Sequence, residues 1–598
     1  MPEDAALLND RPAWTTAPEW RALAATALAA ALVVWIAPLL LGAFAANVLT
    51  RSMVYATLAV TVDLLWGFTG ILTFGQAAFF GVGAYATAIT MTNLGSTPAW
   101  MAAALVLAIV LPMVLGLVVG WLSFYHGSTP LYASVISLVF PIVVTQLVYS
   151  GGLLTGSSSG LVGYDTLPLD LDGFFRFSGL VMVAVTLGAW VFVHSDAGKL
   201  LVAVRDNDVR CAYLGISPKR IQILLTVALA GVAGFAGFLF AHASGVVAPE
   251  NTGFLFGTQL VIWVALGGRG SLLGPVLATL AIDYLSASLS GDLPFLWQLV
   301  LGAAFVIIII FLPDGVAGLA RRAWAAILGF SNQTRVPRVT VAAVHTPVET
   351  QAMLLKVSGL ARSFGSLSVL ENINLEIHPG ELVSIVGPNG AGKTTLIRCL
   401  SDGSEPFKGV VETAGKSIKG LTPDRVVALG VGRKFQVASI FESLTVAECL
   451  RLARTTSETP SRVGSAPLLS LPVASVEILR LTSLIDMIAS PAGLLSHGMK
   501  QALELAMVLA LEPQLILLDE PTAGLTKAER ATIGTVLRHL TAEAGYAIIL
   551  VEHDLDFVRE ISSRIVVLHQ GRLVLDGAVD DVVNSETVRT IYAGGGHL

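Results

Sequence analysis

Charge is scarce in this chain. Only 13% of its residues are Asp, Glu, Lys or Arg while 54% are hydrophobic, against roughly 25% charged in a soluble globular protein. The deficit is uneven. Between Asp63 and Asp165 none of those four residue types occurs, whereas the chain after about Lys356 has an ordinary soluble mixture. The first stretch therefore lacks the means to make a solvated surface, and at least two domains follow from the contrast. Cysteine is also rare: Cys211, Cys399 and Cys449 are scattered without metal-ligand spacing, which excludes a disulfide framework and a zinc site. A net charge of −6 removes any overall basic footprint for nucleic acid.

What the chain has instead is length in apolar runs. Segments at about 23–47, 53–68, 71–93, 99–124, 131–150, 179–194, 221–244, 255–287 and 295–313 are candidate spans, since roughly 20 apolar residues cross the hydrocarbon. The first is preceded by acidic as well as basic residues and followed by more spans, so it reads as retained rather than as a secretion signal. The polar interruption from His194 to Arg220 carries Lys199, Arg205, Arg210, Lys219 and Arg220, and positive charge marks the cytosolic side. With Arg321 and Arg322 after the last span also cytosolic, the chain between must cross an even number of times. Three apolar segments lie there, so one is split or re-entrant. The Gly267-Gly268-Arg269-Gly270 sequence is the expected break, because irregular backbone at membrane depth survives only where protein or a cavity satisfies it. Asp63, Gln76 and Asp283 stand in apolar surroundings, where a polar side chain either faces a water path or is hydrogen-bonded for packing.

After a Pro-, Ser- and Thr-containing stretch read as a tether comes different chemistry. Gly387-Pro388-Asn389-Gly390-Ala391-Gly392-Lys393-Thr394-Thr395 follows the apolar run 382–386. In such a phosphate loop, backbone N–H groups close around phosphates, Lys393 is expected to reach the β/γ oxygens, and Thr394 to offer an oxygen to magnesium. Leu515-Ile516-Leu517-Leu518-Asp519-Glu520 is an apolar strand ending in two carboxylates; Asp519 would hold magnesium and Glu520 would polarise the attacking water. Leu495-Ser496-His497-Gly498-Met499 opens a helix, and a Ser and a Gly at a helix N-terminus suit an anion.

This order of motifs resembles the ATP-binding cassette over about 354–595. The resemblance implies Gln436 as the residue of the Q-loop, shared between water and magnesium, His553 as the switch histidine, Phe364 stacked on adenine, and Ser496 and Gly498 on the nucleotide of a facing cassette. The cofactors it implies are ATP and Mg2+. Catalysis falls to Glu520, His553 and Gln436; nucleotide binding to Phe364, Gly387, Asn389, Gly390, Gly392, Lys393, Thr394, Thr395, Ser496 and Gly498; the metal to Thr394, Gln436 and Asp519. Thr526 departs from the usual Asp, and His497 and Met499 from the usual Gly and Gln of the signature; the latter departure bears on the site that this signature completes rather than on the one formed by Lys393 and Glu520, and implies asymmetric hydrolysis.

The membrane half is similar to permeases of the branched-chain amino acid, urea and short-chain amide importers over about 45–320. The carriers are the sequence from Asp63 through Trp66-Gly67 and Gln76 to Gly81, and Arg205 to Ile216, which looks like the cytosolic loop that touches a cassette, with Gly215 as its glycine. Leu64-Leu65-Trp66-Gly67, Leu293-Pro294-Phe295-Leu296-Trp297 and Asp63, where amino-acid permeases more often have Asn, lean to the urea or amide branch. Tyr125-His126-Gly127 lacks the arginines expected before that glycine. The expected fold is thus a polytopic α-helical membrane domain followed by an α/β P-loop NTPase: a cytosolic segment 1–22, a transmembrane permease 23–320, a linker 321–350 and a cassette 351–598. The resemblance implies an importer in the bacterial plasma (inner) membrane, multi-pass, its ATPase cytosolic. It would work with a second permease and a second ATP-binding subunit, as a heteromer, and with an external solute-binding protein; no nucleic acid is involved. An exporter, or an ATPase that signals across the bilayer without cargo, are the alternatives; soluble cassettes of translation or DNA repair are excluded by the spans.

Overall fold

A computed structural model describes residues 17–125, 130–292, 296–312, 315–319, 337–342, 353–464, 468–542 and 545–593. It divides into two compact units, one of 15–195 with 219–333 and one of 196–218 with 334–598. The segment 126–129 after Tyr125, residues 1–16 and most of the expected linker lie outside the described residues.

The first unit is helical. Among the described residues six helices are long and apolar enough to cross a membrane by length and composition, namely Ala43–Thr69, Pro98–Phe124, Leu131–Ser150, Leu171–Val193, Pro218–Ser244 and Leu273–Gly291. Ala43–Thr69 and Gln76–Leu94 are buried along most of their length and form the core with Pro218–Ser244 and Phe254–Gly267, where Tyr55, Phe80, Phe240 and Phe256 meet ring to ring.

Two expected spans are redrawn. The run 23–47 is not one helix: Ala17–Ile36 ends in a 3-10 turn at Ala37–Leu39, and a new helix starts after Gly42. Pro38 lacks the N–H that would continue the ladder. The run 255–287 is split as the glycines require, into Phe254–Gly267 and Leu273–Asp292.

That break explains Asp63. Its buried carboxylate accepts the Gly270 N–H at 2.5 Å and the Leu272 N–H at 3.0 Å, so helix Ala43–Thr69 supplies the partners that the interrupted backbone lost. Asp283 is likewise a packing residue, 3.1 Å from Arg51 and accepting the Ser52 hydroxyl at 2.7 Å. The Gln76 carboxamide oxygen takes the Thr61 hydroxyl at 3.2 Å. Asp63→Ala is expected to lower stability by about 2–4 kcal/mol, since a buried amide at Leu272 and a part-buried one at Gly270 lose their acceptor; thermal unfolding of the solubilised chain measures it.

The second unit is α/β. Its six-stranded sheet runs in the order Arg572–Ala578, Arg564–His569, Leu382–Val386, Ala547–Val551, Leu515–Asp519 and Val431–Lys434, parallel except for the first strand. Leu382–Val386, Leu515–Asp519 and Ala547–Val551 are buried at every position, as expected of central parallel strands covered on both faces. A four-stranded antiparallel sheet of Leu367–Ile377, Leu355–Phe364, Lys408–Thr413 and Lys416–Ser417 stands beside it. Within the stretch read as a tether, Arg338–Val341 is a strand paired in parallel with Leu468–Leu471; Val339, wholly buried, anchors it.

Candidate functional site

In a parallel sheet all carboxyl ends lie on one edge, and ligands bind there. Four adjacent strands end in the predicted site: Leu382–Val386 in the phosphate loop, Ala547–Val551 in Glu552 and His553, Leu515–Asp519 in Glu520, and Val431–Lys434 in Phe435 and Gln436.

The loop turns back through Gly392, whose φ of 103° favours glycine and starts helix Lys393–Ser401. Asn389, Gly390 and Thr394 are exposed. Lys393 is 7% exposed, and its ammonium donates to the Gly387 and Pro388 carbonyls at 2.7 and 3.1 Å. Burial lowers its pKa from the usual lysine value, against the pull of Glu520 and Asp519. Burial raises the Asp519 carboxyl, while Thr394 hydrogen-bonds it; Asp519 Oδ1 is buried without a partner. Glu520, at φ 44°, turns away from the strand and accepts the Gln436 carboxamide N–H at 2.8 Å. Two predicted residues, 84 positions apart, are therefore in direct contact.

His553 lies beside Glu552 instead. Its ring is 63% exposed with Nδ1 3.6 Å from Glu552 Oε2, and its N–H donates to the same oxygen at 3.2 Å. Glu552 is fully buried and accepts Thr522 N–H at 3.2 Å and the Thr522 hydroxyl, tying the histidine's loop to the turn after Glu520. Phe364 is half exposed with the Arg362 guanidinium 4.5 Å from its ring centre. Ser496 caps helix His497–Leu509 by accepting Met499 N–H at 3.3 Å. Among the described residues no hydrogen bond or ion pair joins Ser496 or Gly498 to the Lys393 loop. Thr526 forms a reciprocal cap with Glu529: its N–H donates to Glu529 Oε2 at 2.9 Å and its hydroxyl oxygen accepts the Glu529 N–H at 3.3 Å.

The segment Asp196–Pro218 belongs to this unit. Arg210 is wholly buried in the cassette; it donates to the Arg433 carbonyl at 3.0 Å and to Glu504 Oε1 at 3.3 Å. Asp206 accepts the Ser443 N–H at 2.9 Å, Asn207 donates to Ser439 at 2.9 Å, and Lys199 and Asp196 pair with Glu448 and Arg451 at 2.9 and 3.2 Å. Gly215, at φ 77°, faces Thr456 so closely that a Cβ would lie 2.5 Å from its methyl. Glu504, Arg433 and Lys434 were not singled out in the sequence; their only signal was charge inside apolar runs.

Comparison with known proteins agrees with both halves. Residues 44–309 match the family described as branched-chain amino acid transport system, permease component, and residues 370–523 match the ABC transporter family. The high-affinity branched-chain amino acid transport ATP-binding protein LivG of Escherichia coli is 34% identical over 251 residues, 40% of this chain and 98% of that one. BraF of Pseudomonas aeruginosa, of the same description, is 32% identical over 252 residues, covering 40% and 98%. The D-allose import ATP-binding protein AlsA of Escherichia coli is 35% identical over 237 residues, 39% of this chain and 46% of that one. Among solved structures, an ATP-binding subunit of an ABC transporter is 26% identical, covering 41% and 100%, with a TM-score of 0.35. The chain belongs to the ABC transporters of the branched-chain amino acid transport family, a membrane protein with permease and ATP-hydrolysing cassette fused in one polypeptide.

Proposed function

We propose that the chain is half of an importer that takes up branched-chain or other hydrophobic amino acids across the bacterial inner membrane. The observation that carries this reading is that the permease half and the cassette half each resemble a component of the same class of transporter. Urea and short-chain amides form the second reading. Asp63, which favoured them, has both carboxylate oxygens engaged by the backbone at the helix break, a structural use that is independent of cargo. Uptake of labelled leucine and labelled urea, compared in the same cells, tests one against the other.

An importer of this kind needs two permeases and two cassettes, so a second permease and cassette, as a heteromer, and an external solute-binding protein complete it. The domain plan proposed is a cytosolic segment 1–22, permease 23–320, linker 321–350 and cassette 351–598, although helix Ala17–Ile36 begins before residue 23 and Arg338–Val341 of the linker pairs with a cassette strand.

In the hydrolytic site Glu520 orients and polarises the attacking water, Gln436 holds Glu520 through its carboxamide, and His553 steadies the transferring phosphoryl group. Gly387, Asn389, Gly390, Gly392 and Thr395 wrap the phosphates, Phe364 stacks on adenine, and Ser496 and Gly498 serve the facing cassette's nucleotide. Magnesium fits the residues present: Asp519 Oδ1 is a buried acceptor without a partner beside the Thr394 hydroxyl, the oxygen donors a hard cation takes. Thr394, Asp519 and Gln436 would hold it, and bound there it would neutralise phosphate charge. Lys393→Ala is expected to weaken ATP binding by about 10- to 100-fold, a charge-assisted contact of about 1.5–3 kcal/mol; titration with a fluorescent ATP analogue checks it.

A further inference from the structure

Three backbone bonds fix the chain at Gln436. Phe435 N–H donates to Glu504 Oε1 at 3.0 Å, Phe435 carbonyl accepts the Lys434 ammonium at 3.1 Å, and Gln436 carbonyl accepts the Gln501 carboxamide at 3.1 Å. Gln501 and Glu504 lie three residues apart on helix His497–Leu509, on one face. The Glu504 oxygen that receives Phe435 N–H also receives Arg210 Nη1 at 3.3 Å. Arg210, Lys434 and Glu504 are all fully buried, where an ion survives only if paired and hydrogen-bonded. Tyr213 of the docked segment packs edge-on against Phe435 at 5.0 Å, and its hydroxyl accepts Arg433 Nη1 at 3.0 Å.

We propose that Glu504 is a positioning residue for hydrolysis: it couples Arg210 of the docked segment to the peptide before Gln436, and so sets how Gln436 holds Glu520. This rests on the reading of Glu520 and Gln436 given above. Lys434, on the Phe435 carbonyl, also acts on Glu504 through its charge, so on withdrawal of Arg210 its ammonium is drawn to Glu504, and turning there releases the Phe435 carbonyl. The backbone before Gln436 then has two arrangements, each selected by whether the segment is docked, which is what coupling requires. A leucine would fill the space at 504 but could hold neither Arg210 nor Phe435 N–H.

The test uses the full chain with its partner subunits in nanodiscs. Glu504→Ala is expected to lower the ATPase kcat on the order of 10²-fold while KM for ATP moves less than about 3-fold and bound nucleotide per chain is unchanged. Glu504→Gln retains an acceptor for Phe435 N–H and is expected to recover most of that loss, to within about 10-fold of wild type, while stimulation of hydrolysis by the solute-loaded binding protein disappears. An unchanged kcat in Glu504→Ala, or a fall in kcat matched by an equal fall in nucleotide stoichiometry, overturns the proposal. If Glu504→Ala does not fold, retained stimulation in Glu504→Gln overturns it instead. Glu520→Gln is run alongside: persistent turnover there refutes the reading of the site and the proposal with it, whereas a dead Glu520→Gln beside wild-type Glu504 variants refutes the proposal alone.

Discussion

Glu520→Gln is expected to reduce ATP turnover by about 10²- to 10⁴-fold, the range of a lost general base, while nucleotide remains bound. The side chain is placed for this at the carboxyl end of a fully buried strand, beside Asp519 and in contact with the Gln436 carboxamide at 2.8 Å. The substitution keeps shape and removes charge, so the Lys393 loop keeps its backbone geometry and the phosphate contacts proposed for it are expected to survive. Phosphate release from the reconstituted complex, with retained nucleotide counted on the same sample, measures both halves of the expectation. Wild-type turnover would remove Glu520 from its role.

Arg210→Ala has the second largest effect. The guanidinium and the Glu504 carboxylate are both 0% exposed; burial pulls the Arg210 pKa down and pushes the Glu504 pKa up, each opposed by the other's charge. Removing one partner leaves a buried carboxylate short of a cation and takes one donor from each of two carbonyl groups, of Arg433 and Glu504. Breaking a buried pair in this way costs about 3–5 kcal/mol. The loss falls on the docking of Asp196–Pro218. Protease sensitivity of that segment should rise and uptake should fall below detection, while ATP hydrolysis persists without responding to solute. Unaltered protection and uptake would show that Arg210 does not hold the segment.

The parts of the molecule that were legible in the sequence are those whose chemistry is written in contiguous residues. A phosphate loop needs its glycines, lysine and threonine within one turn, so 387–395 announced itself, as did the carboxylates at 519 and 520. The helix break at 267–270 was legible because three glycines cannot sustain an apolar helix cheaply. The break after Ile36 was not, because an apolar run reports burial in lipid and says little about helical continuity; Pro38 and Gly42 decided it. Arg210 and Glu504 lie 294 positions apart, and neither local sequence points to the other. The strand Arg338–Val341 has the alternation of a strand over only four residues, too few to separate it from a tether without its partner at 468–471. Gln436 was placed in the sequence but its contact with Glu520 was not, since that depends on the order in which parallel strands align.

Coupled import is tested most directly by uptake of radiolabelled leucine into cells carrying the complete set of subunits, with wild-type or Glu520→Gln chain, and with labelled urea measured in parallel. Leucine accumulation with the wild-type chain and none with Glu520→Gln is the predicted result. Equal leucine uptake by both chains, outward flux, or Glu520-dependent uptake of urea alone would contradict it.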